Sequence, residues 1–490
     1  MMKVLHMRSH PLAHDEQRRR WLRAAMGLGV TVGVAGLGTV LLPARRAWAA
    51  DYKALVCISL YGGNDGLNTV VPTATSTWSS YSAVRGALAL PLASLVRLPG
   101  TTWGLHPSLA PLQTAAQAGR LAPVLNVGPL AQPLSKAQYL AARPNDGSVP
   151  SSLFSHSDQQ IVWESADPDP LARTGWGGRA AVTLATTNPV ISVGANAQFG
   201  LSGLGAPIVV PALGGGFGVE ELSGDPPRDT YGPYIARAAA LRALHAEAQA
   251  HALTGAYSRL QADAFELSAR LGGLVEAAPG DALAVPEIDA AFAGLISNKR
   301  VTESLASQLY QVAKLIAGRA TVLGQRQIFM VRLGGFDTHG GQIAGDALSG
   351  THADLLARLG KAMAAFDDAM QRLGLGGAVT AFTQSDFGRT FLPNNSSGTD
   401  HAWGNHHLVM GGAVKGGVAY GRPPELVLGS DDDVGVQAWD LQGRWIPSSS
   451  VDQYAATLLR WFGADESQLL QILPQLSRFA QRDLGFMAAV

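Results

Sequence analysis

The chain has 490 residues, 47% of them hydrophobic and 15% charged, so it can bury a substantial core and is not a disordered tail. Its 37 basic and 37 acidic side chains cancel, but eight of the basic and two of the acidic groups lie in residues 1–49, which leaves residues 50–490 with a net charge of −6. A mildly acidic body argues against a general nucleic-acid binder, which needs a cationic face to displace counterions from phosphates.

Residues 1–49 read as an address. Arg18, Arg19 and Arg20 precede Trp21-Leu22-Arg23, an uncharged run from Ala24 to Leu42 follows, and Ala47-Trp48-Ala49 supplies a small-x-small cleavage pattern. That order predicts a signal peptide of the twin-arginine (Tat) type, which hands folded protein to the Tat export machinery and places it in the periplasm or outside the cell. A retained membrane anchor is the alternative, disfavoured by the glycine content of the run and the cleavage site behind it. No later stretch is long and apolar enough to span a bilayer. Cys57 is the single cysteine, inside an apolar run, so no disulfide forms within the chain and the thiol reads as a small core group.

Residues 50–490 read as one α/β domain with inserted loops and helices. Strands are expected at Ala54–Leu60, Ala122–Val127, Val190–Val193, Ile328–Leu333, Ala378–Thr383 and Leu408–Met410. One long helix is expected over 233–270, a second around Leu305, Leu309, Val312 and Ile316, and a third over Thr351–Leu373, where Leu355, Leu359, Met363, Phe366, Met370 and Leu373 form one apolar stripe. Strand, helix, strand over 328–383 is a βαβ unit, so a mostly parallel central sheet sandwiched by helices is predicted. Segments 211–218 and 276–286 read as surface loops.

The strand ends carry the chemistry. Leu60-Tyr61-Gly62-Gly63-Asn64-Asp65 and Leu333-Gly334-Gly335-Phe336-Asp337-Thr338-His339 each place two glycines and then an aspartate beyond a buried strand. A third strand ends in Ser385-Asp386-Phe387-Gly388-Arg389, and Asp400-His401 follows shortly after. Parallel strand ends open onto one crevice, so Asp65, Asp337, His339, Asp386 and His401 are expected to converge. Gathered carboxylates repel one another, and a divalent cation removes the conflict. Mixed Asp and His donors suit zinc, manganese or iron better than calcium. For each aspartate taken singly, capping a helix or a turn is the competing role.

Together with Ser155-His156-Ser157-Asp158-Gln159 and Gly175-Trp176-Gly177-Gly178-Arg179, these motifs resemble the DUF1501 family, bacterial proteins of unknown function that often carry Tat leaders. The family is grouped with the alkaline phosphatase-like superfamily, whose members include phosphatases, sulfatases and phosphoglycerate mutases. The resemblance implies an alkaline phosphatase-like α/β sandwich, two divalent metals and a Ser, Thr or modified Cys nucleophile. By that resemblance Asp65 is the early metal-contacting aspartate, Asp337 and His339 are the middle ligands and Asp386 is the late strand-end aspartate. Phe387 stands where a histidine usually follows. His401 falls at the last histidine ligand, and His406 or His407 is the candidate to replace the missing one.

Ser155 is the candidate nucleophile, at an expected helix start that favours an anion, with His156 as acid or base. Its competing role is a plain helix cap. Arg179 and Arg389 are candidates for binding substrate oxygens. The implied function is an exported metal-dependent hydrolase of phosphate or sulfate esters, acting on a small-molecule or polymer ester. The alternative is a non-catalytic periplasmic binding or assembly protein on a degenerate scaffold of the same fold.

Overall fold

Strand β1 (Lys53–Tyr61) is buried at all seven of its internal positions, as a strand paired on both edges and covered on both faces must be. The computed structural model describes residues 52–143, 146–218, 232–247 and 251–489. Within them β1 sits inside an eight-stranded sheet with β2 (Leu121–Gly128), β3 (Ile191–Val193), β4 (Ile208–Val210), β5 (Arg326–Gly334), β6 (Val379–Ser385), β7 (Asn405–Gly411) and β8 (Ser449–Ser450), in the order β8-β2-β7-β6-β1-β5-β3-β4. All pairings are parallel except those of β7, which runs against both β6 and β2. The α/β class and the mostly parallel sheet expected from the sequence are present.

Alternation along the strands divides the core between two faces. Ala54, Val56, Ile58 and Leu60 of β1 pack with Phe329, Val331 and Leu333 of β5 on one face, under α7 (Ser304–Ala317) and α8 (Thr351–Arg372). Leu55 and Cys57 pack with Ile328 and Met330 on the other, under α3 (His156–Ser165), α4 (Trp176–Thr183), α9 (Val451–Phe462) and α10 (Glu466–Ile472). The apolar stripe of α8 is buried at Leu355, Leu359, Met363, Phe366 and Met370. Before these come α1 (Thr75–Arg85) and α2 (Lys136–Ala141).

The helix expected over 233–270 is two helices, α5 (Gly232–Ala246) and α6 (Ala252–Glu276). His251 between them is extended (φ −107°, ψ 138°), which stops the helical winding that the Ala- and Leu-rich composition favours. Residues Ala49–Val490 pack as one compact unit. The predicted leader lies outside the described residues. No helix among the described residues is long and apolar enough to cross a membrane.

The topology fixes the place of the site. The parallel registers of β1 with β5 and β6 bring Tyr61, Gly334 and Ser385 out at the same edge of the sheet. Because β7 is antiparallel, its first residue rather than its last lies at this edge, so the segment just before it, Asp400–His401, arrives there too.

Candidate metal centre

The two glycine pairs permit the strand-end loops to interleave. Gly62 has φ of 110°, and a Cβ there would stand 2.5 Å from the backbone nitrogen of Asp337, so no other residue fits without moving the Asp337 loop. Arg389 pins the arrangement. Its guanidinium, fully buried, donates to the carbonyls of Gly62, Gly63 (2.8 Å), Phe336 (3.1 Å) and Thr399 (3.0 Å), and to Asp337 Oδ1 (2.7 Å). One side chain thus holds three chain segments in register.

Three imidazoles converge on that Asp337 oxygen. The Nε2 atoms of His339, His156 and His401 lie 3.2, 3.3 and 3.4 Å from Asp337 Oδ1. His339 Nε2 and His401 Nε2 are 2.8 Å apart, and His156, Asp337 and His401 offer ligand atoms within 4.8 Å of one another. A tetrahedral zinc with bonds of about 2.0–2.1 Å separates neighbouring ligand atoms by about 3.3–3.4 Å. The distances to Asp337 Oδ1 match that spacing, whereas the His339–His401 pair is closer than it and His339 lies outside the set of mutually close donors, His156, Asp337 and His401.

The outer nitrogens settle the tautomers. His156 Nδ1 is 2.8 Å from Asp386 Oδ2, His339 Nδ1 is 2.8 Å from Asp400 Oδ1, and His401 Nδ1 is 2.7 Å from the Phe154 carbonyl. Each partner only accepts, so each Nδ1 carries a proton and it is Nε2 that faces inward, the nitrogen whose lone pair a cation would use. This is the outer support that metal-bound histidines carry. His156 Nε2 is buried and has no hydrogen-bond partner. Two inward Nε2 atoms 2.8 Å apart, beside a carboxylate, are held together only by a proton or a cation between them.

Charge acts in both directions: an ionised Asp337 and a neutral His401 favour a cation, and a more basic His156 gives a proton more competition for its ring. Desolvation opposes ionisation of Asp337, but the Arg389 guanidinium outweighs it and holds the carboxyl at about 2. Burial holds His401 below the usual imidazole range, whereas the hydrogen bond to Asp386 raises His156. The donor set of His156, Asp337 and His401, with His339 beside it, suits zinc or a similar transition metal. The four side chains are between 21% and 48% exposed, which leaves an outward face open to water or substrate, as catalytic rather than structural sites do.

Comparison with known proteins gives a partial family match. Residues 227–460 match the family model described as "Protein of unknown function (DUF1501)". That stretch, a little under half of the chain, is similar to the DUF1501 family. It contains Asp337, His339, Asp386, Arg389 and His401, while His156 reaches the centre from outside it. No curated protein matches the sequence. A solved structure described as "Crystal structure of Ps i-CgsB in complex with k-i-k-neocarrahexaose" is similar over 88% of this chain and 77% of that chain, at 11% identity and a TM-score of 0.33.

The other residues singled out from the sequence have different places. Asp65 is fully buried, paired with Arg85 of α1, accepts from Gln342 Nε2 at 2.6 Å, and caps the helical turn Gly66–Thr69 through the Asn68 amide. Its oxygens are spent and it does not join the cluster. Asp386 joins through His156, and its Oδ2 also accepts from the Gly62 amide (3.0 Å) and from Gln160 (3.0 Å). His406 is buried in β7 with its Nδ1 accepting from the Asn126 amide (3.1 Å) and its ring edge-on to Trp103. Arg179 donates to the carbonyls of Ile472, Thr174 and Ser165, which commits it to bracing α4. Arg389 is likewise consumed by carbonyls and Asp337. Ser155 occupies the cap position of α3 without making a capping bond; its Oγ is 3.2 Å from Ser157 Oγ.

Two contributors went unassigned in the sequence. Asp400 stands directly before a predicted ligand, and that adjacency was the available signal. Phe387, where the family resemblance expects a histidine, is fully buried and packs its ring against both His156 (4.7 Å) and His401 (4.5 Å), so it supports the two imidazoles sterically. With Asp65 and His406 committed elsewhere, the described residues gather one set of three or more donors, enough for one cation in place of the two that the resemblance implies.

Proposed function

We propose that the protein is an exported, metal-dependent hydrolase of phosphate or sulfate esters, working with one divalent cation on His156, Asp337, His339 and His401. The observation that carries this reading is the set of inward Nε2 atoms at 3.2–3.4 Å from one ionised carboxylate oxygen, each backed by an acceptor on Nδ1. A cation held there would polarise the ester oxygens and neutralise negative charge as it develops. Around it the chain's own groups divide the work. Asp386 and Asp400 orient two of the imidazoles, Arg389 keeps Asp337 ionised, and the backbone carbonyl of Phe154 orients the third. Ser155, next to His156 in sequence and free of capping duty, is the hydroxyl offered as nucleophile. Placing His156 among the ligands replaces the acid–base role first considered for it.

Elemental analysis of the purified full chain, followed by a panel of phosphate monoesters, phosphodiesters and sulfate esters, tests the reading. About one transition-metal equivalent per chain, ester hydrolysis that chelation abolishes and metal restores, and loss of both in His156→Ala are expected. Ser155→Ala should keep the metal and lose turnover. A chain that binds no metal, or a metal-loaded chain inert toward the whole panel, ends the hydrolase reading. One observation favours the second reading, a binding or assembly protein: both arginines considered for substrate oxygens are committed to the fold. A metal-loaded chain without turnover supports it.

A further inference from the structure

Helix α6 carries one apolar seam along its whole length. Leu253, Tyr257, Leu260, Ala264, Leu267, Leu271 and Leu274 follow one another at alternating steps of four and three residues. That is the spacing of a helix that packs on another helix, narrower than the stripe of a helix lying on a core. The C-terminal half of the seam is occupied: Leu271 is fully buried, and Leu267 and Leu274 pack against the main core. This end is clamped, because Lys314 Nζ of α7 donates to the carbonyls of Val275 (3.0 Å) and Ala277 (2.6 Å), and Gln311 Nε2 to that of Val275 (3.1 Å). Among the described residues nothing covers the N-terminal half, where Leu253 is 83%, Tyr257 60% and Leu260 67% exposed. Helix α5 lies along another side of α6, with His245 Nε2 3.0 Å from Gln261 Oε1 and the His245 and Phe265 rings 5.8 Å apart. Gln261 in turn donates from Nε2 to Tyr257 Oη (2.9 Å), so the tyrosine of the uncovered half is held in place.

The seam itself specifies what fits. Alternating steps of four and three are filled by the side chains of a facing helix, knob into hole. A lipid surface is a poor match: an interfacial helix borders its apolar face with Lys or Arg, whereas Thr254, Ala256, Gln261 and Asp263 border this one. A second copy of the same seam, run antiparallel about a two-fold axis between Ser258 and Arg259, is complementary in volume and in charge. It sets Leu253 of one copy against Ala264 of the other, and Tyr257 against Leu260, so in every layer a larger residue meets a smaller one. On the borders Gln261 meets Thr254 and Asp263 meets Ala256, and no like charges face each other. The rest of the molecule fixes the sense of the pair. The body is packed on the C-terminal half of α6, so a parallel pair would drive two bodies together, while an antiparallel pair keeps them at opposite ends. The uncovered half, residues 252–264, runs about 20 Å. A contact of that length lies at the small end of specific interfaces, which makes the association reversible.

We infer that the uncovered half of α6 is a dimerisation seam, on which a second copy of this chain docks antiparallel through Leu253, Tyr257 and Leu260. The inference is independent of the metal centre and of any reaction there. Sedimentation of the full chain over a micromolar concentration series should move from one chain mass, 51.1 kDa, to twice that mass. The double variant Leu253→Glu with Leu260→Glu puts unpaired charge into the seam and should weaken dimerisation about a hundredfold or more. It should leave the unfolding midpoint of the monomer unchanged, because both side chains face water in a single chain. Cross-linking reads the register separately, undisturbed by the buried Cys57. A mixture of Leu253→Cys and Ala264→Cys chains should oxidise to a mixed disulfide dimer. Leu253→Cys alone should not, since its two thiols would stand about 16 Å apart along the pair, beyond the reach of a disulfide. A chain that stays monomeric throughout, a dimer that survives both glutamates, or a disulfide formed by Leu253→Cys with itself in preference to Ala264→Cys overturns the inference. So does a monomer that sediments with vesicles of anionic lipid and ceases to do so in the glutamate variant, which would give the seam to a membrane.

Discussion

Replacing Asp400 with Asn removes the charge behind His339 without changing the size of the side chain. The carboxylate accepts from His339 Nδ1 at 2.8 Å and from Asn394 Nδ2 at 3.0 Å. An amide can turn its NH2 toward Nδ1, which then accepts, and the ring proton moves to Nε2, where the lone pair is needed. Loss of such an outer partner weakens metal affinity about 10–100-fold, or about 1.4–2.8 kcal/mol. Metal at a hundred times the wild-type Kd stabilises the fold by about 2.7 kcal/mol; a hundredfold weaker variant at the same concentration keeps only about 0.4 kcal/mol. The metal-free fold should change by less than about 1 kcal/mol, because Asp400 is 38% exposed and its partner His339 more so. Competition of zinc between the chain and a chelating dye gives the affinity, and thermal unfolding with and without zinc gives the linked stabilisation. A variant that binds zinc as tightly as wild type, or that is destabilised equally with and without zinc, would refute the assignment of His339 as a ligand.

Other changes separate structure from chemistry. Asp65→Asn strands the fully buried Arg85 and should cost about 3–5 kcal/mol, seen as a lower unfolding midpoint, while the folded fraction keeps its metal; lost metal with an intact midpoint would return Asp65 to the ligand set. Arg179→Ala should behave the same way, more mildly, since it uncaps three carbonyls far from Asp337. Burial holds His407 and His352 at about 3 and His406 at about 4, against about 6.5 in the unfolded chain. Below pH 6.5 the unfolded chain takes up protons that the folded chain refuses, so stability falls as pH drops toward 4. His407→Phe, removing a ring with both nitrogens unpartnered, should flatten that fall in denaturant titrations at pH 7, 6 and 5; an unchanged slope would show that the ring is protonated in the fold.

The residues differ in how plainly they announce their places. The apolar runs of β1, β5 and β6 are continuous because both faces of those strands are covered, and the stripe of α8 has helical spacing because one face is. Strands such as Ile208–Val210 and Ser449–Ser450 are too short for periodicity to mark. Asp337, His339 and His401 were legible because glycine-rich strand ends must share one edge. The part played by His156 was not, since it depends on how α3 docks, across 230 residues, against Asp386. The fate of Asp65 is decided by Arg85 on α1, twenty residues on, which the strand-end motif does not contain. For His406 the register of β7 decides: it points the ring at Trp103 and the Asn126 amide rather than at the sheet edge.

The most direct test is zinc X-ray absorption on the full chain loaded with one equivalent of metal. Three imidazole nitrogens and at least one oxygen at about 2.0–2.1 Å are predicted, with one imidazole fewer in His156→Ala. An imidazole count that His156→Ala leaves untouched, or a chain that releases its one equivalent to a weak chelator, would contradict a centre built on Asp337 and its three histidines.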